Sequence, residues 1–122
     1  MRIYVATKWE RRDRAKGLIQ QLIAAGHTIT YDWTAQEQDS PRQAVADLHG
    51  VATADVVVIL AEEDLPYRGT YVELGVALAL DIPVWLIGHG LDQCLFVHHP
   101  HITRMTWSTM LAWCGCLSPR VE

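Results

Sequence analysis

Apolar and polar positions follow two rhythms along this chain. Residues 2–6, RIYVA, are a short apolar run rich in β-branched side chains and predict a buried strand. Over residues 10–25 the period lengthens, and Ala15, Leu18, Ile19, Leu22 and Ile23 share one helical stripe that Gly26 terminates. HTITYDW (27–33) predicts a second strand. Ser40-Pro41-Arg42-Gln43 has the form of a helix start: a Ser cap, Pro in the first turn and Gln three residues after the cap. The helix it opens is expected to turn Ala44, Val45, Leu48, Val51 and Ala52 inward. ADVVVIL (54–60) is the strongest strand signal, and its unbroken apolar run suits a parallel strand covered on both faces. A third helix is predicted from Thr70 to about Leu80 and a fourth strand at IPVWLIG (82–88). A fifth strand is predicted at QCLFVHH (93–99), and a closing amphipathic helix at 106–115.

Strands that alternate with helices define an α/β class with a parallel sheet. Right-handed crossovers and five strands favour a flavodoxin-like (Rossmann-like) three-layer sandwich, strand order 2-1-3-4-5, with residues 1–122 as one domain. In such a sheet the ligand crevice opens beyond the carboxyl ends of the first and third strands, between loops 7–11 and 61–70.

Composition narrows the partners. The net charge of -4 argues against a nucleic-acid backbone, and no apolar run reaches the ~20 residues of a membrane span. Three unevenly placed cysteines do not form a secreted disulfide framework, and MRIYVATKWE runs straight into a strand, so a cytoplasmic protein is expected.

Glu73, in YRGTYVELGVALAL (67–80), admits two readings. Thr70-x-x-Glu73 is a capping box, which would make Glu73 a structural cap. The third helix also starts at the crevice, behind a Gly69 that lets a ligand approach the backbone closely. Tyr4 reaches that crevice from the first strand, and Asp47 lies on the flank of the second helix's stripe. A Tyr, an Asp and a Glu converging there exceed what a cap requires.

These segments resemble the nucleoside 2-deoxyribosyltransferase family and its relatives, the 2'-deoxynucleoside 5'-monophosphate N-glycosidases. The resemblance is carried by IYVATKW (3–9), ADLHGVATADVVVIL (46–60) and GTYVELGVALA (69–79), in the family's order and spacing from residue 1 to about 88. It implies cleavage of an N-glycosidic bond by hydrolysis or deoxyribosyl transfer. Glu73 would attack the anomeric carbon, Asp47 would serve proton transfer or sugar positioning, and Tyr4 would orient the Glu. A Glu at a helix N-terminus is expected to stay ionised there. The transferases often carry an acidic base-reading residue just ahead of the Gly-Thr; here Tyr67 and Arg68 hold that place. They also borrow a polar C-terminal residue from a neighbouring subunit, so a homo-oligomer is expected, with that residue sought in CGCLSPRVE (114–122).

Lys8, Arg11 and Arg12 cluster at the first helix's start, among Glu10 and Asp13. They read either as a solvated mixed-charge face or, with Arg68 across the crevice, as a clamp for a 5'-phosphate. Trp9 and Trp33, with Gly69 and Thr70, complete the candidate substrate contacts; each Trp reads as a base-stacking platform or as packing. His98, His99 and His101 with Cys114 and Cys116 match no familiar zinc spacing, and His98 and His99 are expected at the end of the fifth strand. GHG (88–90) lacks the dinucleotide fingerprint. No cofactor is expected, and the partner is a small nucleoside or nucleotide. A non-catalytic nucleotide-binding or signalling module of the same layout is the alternative, with a TIR-like nucleotide-consuming domain behind it.

Overall fold

The computed structural model describes residues 1–35, 40–64 and 66–117. β1 (Arg2–Ala6) and β3 (Val56–Leu60) form the sheet's centre, paired in parallel with Ile3 opposite Val56 and Ala6 opposite Ile59. β2 (Thr28–Ile29) lies outside β1, and β4 (Val84–Ile87) followed by β5 (Ile102–Met105) extend the other side. All five strands are parallel in the order 2-1-3-4-5, as the alternation predicts. Every residue of β3 is buried, because helices cover both sheet faces there.

α1 (Arg12–Ala24) and α4 (Trp107–Trp113) share one face of the sheet. The Arg14 guanidinium lies 3.6 Å from the Trp107 ring centroid, and Trp85 of β4 meets Trp113 edge-on at 5.5 Å. α2 (Pro41–Ala52) and α3 (Gly69–Ala79) pack together on the opposite face. Successive strand side chains alternate between the faces, so Tyr4 points toward α2 and α3, whereas Ile3 and Val5 point toward α1.

The local signals act as expected at several ends. Ser40 caps α2 by accepting from the Gln43 amide, with Pro41 in the first turn. Gly26, at φ +93°, takes the left-handed conformation that ends α1. Of α1's predicted stripe, Ala15, Leu18, Ile19 and Leu22 are buried and Ile23 is exposed.

Three expectations are corrected. The second strand shrinks to Thr28–Ile29, and a 3₁₀ turn, Trp33–Ala35, follows it. The apolar segment 93–99 is not a strand: Leu95–His98 is a 3₁₀ turn, and Leu95 and Phe96 are exposed. β5 lies several residues later, in the less apolar ITRM, because an edge strand is half solvated and needs no apolar run. His98 and His99 therefore precede β5 instead of ending it. Third, α2 is rotated relative to its apolar stripe. Its inward side carries Gln43, Ala46, Asp47, Gly50 and Val51, whereas Ala44 and Ala52 are exposed, Val45 is 70% exposed and Leu48 36%. Of the expected stripe only Val51 is buried, and the half-buried Asp47 and buried Gly50 take inward positions beside it.

Candidate active site

Tyr4 is fully buried on β1, and its phenol donates a hydrogen bond to Oε2 of Glu73 on α3. Glu73 is 8% exposed. The capping box does not form: α3 begins at Gly69, its N-cap is Arg68, and no side chain caps it. Thr70 thus falls inside the first turn, with its Oγ1 buried and unpartnered, and Glu73 lies beyond that turn, tied across the sheet to Tyr4.

This position reverses the expected ionisation of Glu73. Burial pushes its carboxyl from 4.5 up to about 8; the Tyr4 hydrogen bond opposes that rise and the nearby Asp47 charge adds to it. No backbone amide binds the carboxylate among the described residues, so desolvation outweighs the helix dipole. Asp47, on the inner side of α2, has a buried Oδ1 without a hydrogen-bond partner. Burial raises it from 3.8 to about 6. The Tyr4 phenol is pushed strongly upward, first by burial and then by Glu73 and Asp47, so it remains a donor at all ordinary pH. Tyr4, Asp47 and Glu73 are thus close enough to act on one another electrostatically, as the topology predicts.

Beyond this cluster a pocket of about 360 Å³ opens between the loops after β1 and β3. Lys8, Trp9, Trp33, Arg68, Gly69 and Thr70 line it, joined by Thr7, Glu10 and Pro66, which the sequence reading does not single out. Thr70 stands one helical turn from Glu73 on the same buried side of α3. Trp9 and Trp33 lie 6.2 Å apart between ring centroids, tilted by 44°. Trp33 is buried and donates Nε1–H to the Val5 carbonyl at 2.7 Å.

The four cations differ in availability. Arg11 does not line the pocket; its Nε pairs with Glu63 at 2.8 Å. The Arg12 guanidinium stacks 4.5 Å from the centroid of Trp9. Lys8 reaches the Asp64 carbonyl at 3.4 Å, Glu63 at 3.9 Å and the Tyr67 ring at 5.3 Å. Arg68 lines the pocket and has no ion pair or hydrogen bond among the described residues.

Several described residues after β3 are held in place. Gly90 donates to the Ala61 carbonyl at 2.8 Å, and the Glu63 amide donates to the Tyr67 hydroxyl at 3.1 Å. Arg14 holds Glu62 through two hydrogen bonds. The GHG segment has a structural purpose here. A Cβ on Gly88 would lie 2.3 Å from the Ala61 oxygen, and one on Gly90 2.1 Å from the Glu63 oxygen. Arg104, His89 and Asp92 tie that turn to β5. His99 and Cys94 line a separate apolar groove with Tyr71 and Leu78. Among the described residues, no group of three or more His, Cys, Asp or Glu side chains could hold a metal ion. Residues 118–122, where part of the C-terminal segment CGCLSPRVE falls, lie outside the described residues. No helix among the described residues is long and apolar enough to cross a membrane.

A doubly wound parallel sheet that sets a buried glutamate and a half-buried aspartate near a pocket at its switch point has the layout of small-molecule α/β enzymes. The model of the nucleoside 2-deoxyribosyltransferase family matches residues 3–102, and the chain belongs to that family of enzymes. The CMP N-glycosidase BcmB of Clostridium botulinum shares the fold, with a TM-score of 0.67, 16% identity and coverage of 94% of this chain and 95% of that one. A 2-deoxyribosyltransferase of Bacillus psychrosaccharolyticus is 25% identical over 73% of each chain, with a TM-score of 0.60. A conserved protein of Enterococcus faecalis V583 has a TM-score of 0.55 and 20% identity, covering 91% of this chain and 85% of that one. No curated protein matches the chain.

Proposed function

We propose that the protein cleaves the N-glycosidic bond of a (deoxy)nucleoside 5'-monophosphate, with Glu73 as nucleophile. The observation that carries this reading is the buried Tyr4–Glu73 hydrogen bond beside an unpartnered Asp47. Tyr4 occupies one carboxylate oxygen and leaves Oε1 for the anomeric carbon. As the C–N bond breaks, its electron pair leaves with the base, which takes a proton from Asp47. The oxocarbenium-like sugar closes onto Glu73 as an ester. Water, or a second base, then attacks the anomeric carbon and gives up a proton to the Asp47 carboxylate, and the C–O bond of the ester breaks to regenerate the Glu73 carboxylate. A carboxyl with its pKa raised to about 6 still carries a proton part of the time near neutrality, as a general acid requires.

Arg68 supports the phosphate. It is the pocket's uncommitted cation among the described residues, with Lys8 beside it. Of the four cations, these two line the pocket and would form the clamp. Trp9 offers aromatic surface to the base, backed by the buried Trp33, and Gly69 and Thr70 border the path to Glu73. The outward apolar stripe of α2, with Val72 of α3 exposed beside it, supports a homo-oligomer in which a second copy covers it.

The test is incubation with a panel of deoxynucleosides, ribonucleosides and their 5'-monophosphates, followed by chromatography for free base. Base release that Glu73→Gln abolishes, with the fold intact, supports the reading. Base release undiminished in Glu73→Gln removes Glu73 from the chemistry. Binding without release by the wild-type protein favours the non-catalytic module.

A further inference from the structure

Gly50 sits in the interior of α2, where a glycine weakens a helix relative to alanine. The neighbouring rings supply the reason for it. A Cβ at Gly50 would lie 2.9 Å from Cδ2 and 3.0 Å from Cε2 of Tyr4, and 2.8 Å from Cβ of Tyr31. The Tyr4 ring therefore rests against the bare backbone of α2, with its hydroxyl on Glu73. α2 is also held at this point, because Thr30 Oγ1 donates to the Gly50 carbonyl at 2.7 Å. A side chain at residue 50 would press on both the Tyr31 Cβ and the Tyr4 ring from a helix tied in place, and of the two the ring is the one that ends on Glu73.

We propose that Gly50 is a positioning residue: the missing side chain makes the slot that seats the Tyr4 phenol on Glu73. It touches no substrate and acts only through Tyr4. The proposal rests on the reading of Glu73 as nucleophile for its functional meaning, and on geometry alone for its test. The ring has little latitude. It is fully buried between β1 and α2, and its hydroxyl has one acceptor, Glu73, among the described residues. A shift of a few tenths of an ångström across the ring is carried to its far end, where the hydrogen bond is made. The same crowding touches Tyr31, whose Cβ forms the slot's other rim.

The experiment is a double-mutant cycle read by NMR titration of the ¹³C-labelled Glu73 carboxyl in the full chain. In the parent background, Tyr4→Phe removes the hydrogen bond and should raise the Glu73 midpoint by about one pH unit. In a Gly50→Ala background the contact is already broken, so the same substitution should move the midpoint little. An equal shift in both backgrounds overturns the proposal. The cycle cancels any displacement of Asp47, which affects both members of each pair alike. Should Gly50→Ala not fold, Gly50→Ala combined with Tyr4→Ala and Tyr31→Gly should fold, because both rims of the slot are vacated. Failure of that triple variant as well, with the Tyr4→Ala, Tyr31→Gly pair folded, overturns the proposal. None of these readouts requires turnover, so a protein that releases no base leaves the slot tested separately from the N-glycosidase reading.

Discussion

The phenol of Tyr4 on β1 and the carboxylate of Glu73 on α3 are hydrogen-bonded across the sheet, although 69 residues separate them in the chain. Only the adjacency of β1 and β3 brings them together, since α3 is the helix that leaves β3. Tyr4→Phe keeps the ring and deletes the donor, leaving a buried carboxyl without this partner. A fall in kcat of about 10- to 100-fold is expected, with KM little changed, because the loss falls on alignment of the nucleophile. Stability should drop by about 1–3 kcal/mol in denaturant melts. A KM effect larger than the kcat effect would place Tyr4 on the substrate instead.

Glu73 also links stability to pH, and the sign follows from its raised value. Its carboxyl moves from 4.5 in the ordinary state to about 8 in the fold. Between those values the native state holds more protons than the unfolded chain. Its contribution is therefore full below about pH 4.5 and is lost as pH rises through about 8. Glu73→Gln removes the penalty. Its melting temperature relative to wild type should climb by several degrees between pH 5 and pH 8.5. A difference that stays flat across this range would mean that Glu73 ionises freely in the native protein.

The two raised carboxyls, Asp47 at about 6 and Glu73 at about 8, predict a bell-shaped pH profile centred near neutrality. The two limbs belong to the pair as a whole. Asp47→Asn should cost about 10²- to 10⁴-fold in kcat with a poor leaving base. It should also convert the bell into a single rise with pH, because only ionisation of Glu73 then matters. That rise should lie above the acid limb of the wild type, which Asp47 sets at about 6, because burial, the largest cause of the Glu73 rise, remains when the Asp47 charge is gone. A retained alkaline limb would assign the acid to another group.

Arg68→Ala should raise KM for a 5'-monophosphate by about 10-fold or more while leaving the matching nucleoside nearly unaffected. Arg11→Ala, which removes the partner of Glu63 rather than a wall of the pocket, should discriminate far less. Equal effects of Arg68→Ala on both substrates would remove the phosphate from the proposal.

Val45→Lys with Leu48→Glu changes only the outer side of α2. Sedimentation should then show a smaller species than the parent chain, with the melting curve of the subunit little altered. Identical sedimentation of parent and variant would leave the stripe uncovered in solution.

The strand order is legible because β3 is an unbroken apolar run and α-helices alternate with the strands as far as β4. The gathering of Tyr4, Asp47 and Glu73 followed from that order. The orientation of α2 was not legible, because periodicity shows which residues share a side but not which side the core takes. The informative signal there was Gly50, an interior helix glycine one turn from Asp47 and hence a sign of close approach. β5 escapes a reading by hydrophobicity, because the exposed 3₁₀ turn at Leu95–His98 is more apolar than the edge strand that follows it. At Glu73 the local motif pointed to a cap, but a tertiary partner on another strand took the carboxylate. Thr7, Glu10 and Pro66 had no periodic signature, since a loop's inward residues are fixed by its path alone.

The fastening of the Ala61–Glu63 backbone to the Gly88–Gly90 turn bears on traffic through the mouth above it. A doorway whose base is fastened by main-chain bonds on a glycine seat keeps that base still while guests pass. Guests should come and go at rates set by diffusion past Trp9 and Arg68, and crystals grown empty should accept a nucleotide by soaking without cracking.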